Sequence, residues 1–78
     1  MATANQIRAA RALLGLSQPD VATLAKVSSM TLKRAEGSAK PPASVEAVAA
    51  IRAALEAAGV VFLAENGNGP GVAIKKDS

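Results

Sequence analysis

Leu16-Ser17-Gln18-Pro19-Asp20-Val21-Ala22-Thr23-Leu24-Ala25-Lys26-Val27-Ser28-Ser29-Met30-Thr31-Leu32-Lys33-Arg34 contains two helix starts written in one grammar. Ser17 is placed as an N-cap, because its hydroxyl can accept one of the amides that a first turn leaves without a partner. Pro19 falls in that first turn, where its missing N–H costs nothing, and Asp20 favours the positive end of the helix dipole. Leu16 and Val21 hold the two positions of a hydrophobic staple. The pattern then repeats: Val27 precedes the N-cap Ser28, and Leu32 stands at the staple position. Only Ala25-Lys26-Val27 separates the two helices, a very short turn.

Upstream, Thr3-Ala4-Asn5-Gln6 reads as a capping box, with Thr3 as N-cap and Gln6 reaching back to its amide. Ile7, Ala10, Leu13 and Leu14 form an apolar stripe, and Gly15 ends that helix. Downstream, Gly37-Ser38-Ala39-Lys40-Pro41-Pro42 is a loop by composition. Ser44 caps a fourth helix carrying Val45, Val48, Ile51, Arg52, Leu55 and Ala58, terminated by Gly59. Beyond it, Val60-Val61-Phe62-Leu63 and Val72-Ala73-Ile74 read as strands around a Glu65–Gly71 turn, with Asp77 and Ser78 expected to fray. The chain thus divides into a helical unit, residues 1–59, and a strand segment, residues 60–78.

With 78 residues the chain has room for one compact domain, whose core alone gives little net stability. It contains no cysteine and no histidine, which excludes disulfides, ordinary zinc sites and thiol or imidazole catalysis. Self-association is the remaining staple. The net charge of +3 is unevenly placed: residues 1–44 carry six basic and two acidic side chains, residues 45–78 three and four. A basic front half joined to a near-neutral back half suits a unit that faces a polyanion. The single aromatic residue, Phe62, argues against stacking platforms for single strands. No apolar run approaches the ~18–20 residues needed to span a bilayer. Arg8 and Arg11 interrupt any signal-peptide core, so a cytoplasmic location is expected.

Two capped helices joined by a tight turn form the unit in which one helix crosses a DNA backbone and the next enters the major groove. On the third helix, Val27, Leu32 and Ala35 face inward by spacing, Thr31 sits nearer the edge, and Ser29, Met30, Lys33 and Arg34 are left outward. Packing gives a short helix no reason to show two adjacent cations. Against a duplex, Arg34 can fork onto a guanine edge and Lys33 can neutralise a phosphate.

Residues 16–28 resemble the LSQ-x-x-LA-x-x-AGVS core of the Cro and phage-repressor (XRE-type) helix-turn-helix family. The likeness runs through Ile7-Arg8-Ala9-Ala10-Arg11 and Glu36-Gly37, over roughly residues 5–58. The resemblance implies a mostly α, four-helix, lambda-repressor-like domain, here followed by a C-terminal β-hairpin or strand pair. It implies base contacts from Ser29, Met30 and Arg34, a phosphate contact from Gln18, and an Arg11–Glu36 pair tying the first helix to the end of the third. Ser17, Lys26, Lys33 and Lys40 complete the expected backbone contacts. Two positions depart from the family pattern. Lys26 stands where glycine is usual, so either the turn relaxes or Lys26 offsets the strain by reaching a phosphate. Met30 stands where polar groups are commoner, and fits a thymine methyl or a partner protein equally.

An uncovered two-stranded hairpin is marginal and its edge invites a partner. A sheet shared across a twofold axis, with Val61, Phe62, Leu63, Val72 and Ile74 as its core, is one solution; a hairpin folded onto its own domain is the other. The expected function is a transcriptional regulator, a repressor, binding a near-palindromic duplex as a homodimer. The alternative is an antitoxin or adaptor with a second regulatory protein as its partner. No catalytic residue, metal site or cofactor is expected. Six scattered carboxylates without His or Cys offer no acid–base pair or nucleophile, and Gly67-Asn68-Gly69-Pro70-Gly71 lacks the Lys-Ser/Thr ending of a phosphate loop.

Overall fold

A computed structural model describes residues 2–64 and 71–75. Four helices precede a hairpin: α1 (Ala4–Leu14), α2 (Gln18–Ala25), α3 (Ser29–Ala35), α4 (Val45–Ala57), β1 (Val60–Leu63) and β2 (Gly71–Ile74). Each helix begins where the sequence places its cap. Thr3, Ser17, Ser28 and Ser44 lie in extended backbone, and each side chain accepts the amide three residues on. The Thr3–Gln6 capping box is complete, and Ser17–Asp20 forms a second one. Gly15 closes α1 in the left-handed region at φ 68, a conformation that suits glycine. α4 stops at Ala57, with Ala58 as its C-cap; Gly59, at φ 108, turns the chain into β1.

The core is drawn from all four helices and the first strand. Ile7, Val21, Leu32, Ile51 and Leu55 are fully buried, with Val48, Val60 and several alanines around them. Full burial of such a side chain is worth about 1.5–3 kcal/mol against leaving it in water. Two stripe residues stay outside. Leu13 is half exposed and Val45 more so. At about 100° per residue, each lies at the margin of its helix's buried arc and near one end of the helix, where none of the described residues covers it.

The strands pair antiparallel within the chain, Val60 opposite Ile74 and Leu63 opposite Gly71. Of the two arrangements considered for the tail, the pairing in this structure is intrachain. The hairpin packs onto its own domain, β1 against α4 and β2 against α1. Phe62 and Val72 pack against the domain's core, and the Arg52 guanidinium covers the Phe62 ring at 5.1 Å from its centroid. Of the turn expected over Glu65–Gly71, Gly71 instead opens β2, paired with Leu63; residues 65–70 and the expected fraying at Asp77 and Ser78 lie outside the described residues.

Candidate nucleic-acid interface

Between α2 and α3 the chain turns at Lys26, which adopts φ 58, ψ 40 and donates its backbone N–H to the Ala22 and Thr23 carbonyls. Lys26 therefore keeps the left-handed geometry and the turn does not relax. A Cβ in that region costs roughly 1–2 kcal/mol. It is the only non-glycine residue with positive φ among those described, and it is exposed.

α3 is seven residues long and amphipathic. Leu32 and Ala35 are buried and Val27 packs on the core, as their spacing requires. Ser29, Met30 and Lys33 are exposed, and Thr31 is half buried, its hydroxyl 2.8 Å from that of Ser28. Arg34 differs from its expected outward position. It is half buried, and its Nε lies out of solvent without a hydrogen-bond partner among the described residues. The loop after α3 folds back beside that last turn, so Arg34 shares a cavity wall with Lys40 and Pro42. Lys33, one residue earlier, escapes this cover.

Arg11 and Glu36 meet as expected. Arg11 Nε donates to Glu36 Oε2 at 2.8 Å, and its NH2 reaches Oε1 at 3.3 Å. The Glu36 side chain is 1% exposed and that of Arg11 26%. Gln18 joins them, its Nε2 donating to Glu36 Oε1 at 2.9 Å, and a further Arg11 nitrogen binds the Leu16 carbonyl. One carboxylate thus ties α1, the start of α2 and the end of α3. The joint also has an electrostatic result. The acidic group nearest α3 is enclosed by its donors, so no exposed carboxylate opposes Lys33 on that helix.

The joint changes the reading of Gln18. One amide N–H is committed to Glu36, leaving only its second N–H to donate to a phosphate. Ser17 is similarly engaged, its hydroxyl accepting the Asp20 amide while its own N–H donates to the Asp20 carboxylate at 3.0 Å. That backbone bond, reinforced by the Ser17 hydroxyl, holds the exposed Asp20 carboxyl below its ordinary pKa. A carboxylate beside Ser17 works against a phosphate arriving there. Lys33 and Lys40 are exposed.

The residues expected at a dimer interface divide into two sets. Phe62 and Val72 are used within the chain, whereas Val61, Leu63 and Ile74 are 39%, 46% and 45% exposed. Leu24 and Met30 are also exposed, at 53% and 48%.

One residue acquires a role that the sequence did not signal. Gln6 is 5% exposed; beyond its part in the capping box, its Nε2 donates to the carbonyls of Leu63 at 3.0 Å and Gly71 at 2.9 Å. It clasps the Leu63–Gly71 strand pair to the start of α1. Only the unused donors of a capping-box glutamine hinted at a further partner.

Among the described residues, no group of three His, Cys, Asp or Glu side chains could hold a metal ion, and no helix is long and apolar enough to cross a membrane. No family model matches the chain, and a search of curated proteins returns none similar to it.

Proposed function

We propose that this chain is a sequence-specific double-stranded DNA-binding regulator, acting as a repressor on a near-palindromic operator as a homodimer in the cytoplasm. The observation that carries the reading is α3 itself. It is a short helix anchored by Leu32 and Ala35, presented by a capped partner across a tight turn. It exposes Ser29, Met30 and Lys33 while the neighbouring carboxylate is enclosed. Such a helix enters a major groove with its outward side chains toward base edges. Ser29, Met30 and the distal end of Arg34 are assigned to base edges. Lys33, Lys26, Lys40 and the free part of Gln18 are assigned to phosphates, with Ser17 the weakest of that set because Asp20 stands beside it.

Homodimerisation follows from operator symmetry together with the exposed Val61, Leu63 and Ile74, which a second copy would cover. The test is selection from a pool of random duplexes followed by footprinting. A selected near-palindrome with half-sites about one helical turn (~34 Å) apart is expected; a pool that stays random would refute the reading. The second reading, an antitoxin or adaptor, is favoured by Met30 and Leu24, apolar side chains held in water on the same two helices. A partner protein that binds tightly and is lost on Met30→Ser would support it.

A further inference from the structure

The last turn of α3, the loop that follows it and the start of α4 enclose an open cavity of about 330 Å³, at the lower end of the range for small-molecule pockets. Its walls are small and apolar: alanines, with Pro42 and Val48. Its charged side chains are two cations, Arg34 and Lys40, with no acidic residue among the lining. Arg34 Nε is closed off from solvent and has no hydrogen-bond partner among the described residues, so the terminal guanidinium nitrogens are the ones a ligand can meet. The cavity thus offers two positive charges beside an apolar wall, with no acidic side chain to answer them.

We propose that this cavity binds a small aliphatic carboxylate. Its oxygens fork onto the two terminal guanidinium nitrogens of Arg34, a paired geometry in which arginine holds carboxylates. Lys40 supplies the second positive charge. The alkyl part lies against Val48, Pro42 and the alanine walls, a surface that a bare inorganic anion leaves uncovered. Arg34 is also assigned above to a base edge, so ligand and DNA draw on one guanidinium and compete for it. A chain of this size would then answer to a metabolite through its groove-facing helix. Occupancy is read on DNA-free protein, so the failure of either reading leaves the other standing.

The experiment is a titration of ¹⁵N,¹³C-labelled protein with sodium butyrate, and separately with sodium phosphate, at constant ionic strength. The Arg34 Nε–H and Val48 methyl signals are followed by NMR. Butyrate is expected to shift both signals along one saturating curve, and phosphate to leave the Val48 methyls in place. Lys40→Ala, an exposed loop substitution that leaves the core intact, should weaken butyrate about 2- to 5-fold, the worth of a solvent-exposed ion pair. Arg34→Gln should abolish saturation. No saturable shift with butyrate, or identical responses to butyrate and phosphate, would overturn the proposal.

Discussion

Replacing Gln6 should loosen the hairpin more than the helix in which Gln6 sits. Its amide makes three hydrogen bonds: Thr3 N–H to Oε1 at 2.9 Å, and Nε2 to the Leu63 and Gly71 carbonyls. Each is worth about 0.5–1.5 kcal/mol net. The exposed Thr3 amide regains water when its bond is lost, but the two carbonyls face a nearly buried position. Gln6→Met keeps the length and apolar stem and removes every donor. It should cost about 1–3 kcal/mol, a large share of the ~4–12 kcal/mol expected of a domain this size. Gln6→Ala adds the lost packing and should cost more. Urea unfolding followed by circular dichroism gives the global change. Amide exchange at Val61 and Ala73, compared with Ile7 and Leu32, locates it. Protection should fall at the strands while the Ile7 amide stays as slow as the reduced global stability allows. If Gln6→Met lies within about 0.5 kcal/mol of wild type, the range of a neutral surface change, and strand protection is unchanged, Gln6 does not hold the hairpin.

Other substitutions probe the turn, the polar joint and the second capping box. Lys26→Gly relieves the left-handed strain and should stabilise the fold by about 0.5–1 kcal/mol in urea unfolding, after the entropy of glycine is discounted; clear destabilisation would mean the turn is built differently. Arg11→Met leaves the buried Glu36 carboxylate with Gln18 as its only side-chain donor among the described residues, so it should cost about 3 kcal/mol or more. Glu36→Gln frees an arginine that already reaches solvent and should cost less; the reverse order would contradict the picture of the joint. The Asp20 carboxyl, followed by ¹³C NMR, should titrate below its ordinary value of 3.8, and Ser17→Ala should move the midpoint up. Because its folded-state pKa is lowered, the stabilisation from Asp20 is fully present above the unfolded value. It is lost as pH falls through the folded one.

The helical part of this fold was legible because its signals are local. A cap is a residue and the amide three positions on, so Thr3, Ser17, Ser28 and Ser44 could be placed without knowing any neighbour. The inward faces of α3 and α4 follow from spacing in the same way, and Leu32, Ile51 and Leu55 lie where the period puts them. What spacing cannot give is how far a neighbour's cover extends. Leu13 and Val45 stand at the margins of their stripes, and only the placement of other elements decides that they stay wet. Arg34 is the converse, adjacent to an exposed lysine yet covered by a loop whose path the sequence does not fix. Gln6 and Gln18 each had one foreseeable role and acquired another from residues brought close only by folding, Leu63 and Gly71 for the first and Glu36 for the second. The Arg11–Glu36 pair was expected through family resemblance alone, since twenty-five positions of chain separate its members.

The decisive measurement is the salt dependence of binding to the selected duplex, by fluorescence anisotropy, for wild type and Lys33→Ala. If α3 lies in the groove with Lys33 on a phosphate, the variant binds every duplex more weakly, and its slope of log affinity against log salt is smaller by about one unit. Equal affinity and equal slope for the two proteins would mean that this helix faces something other than DNA.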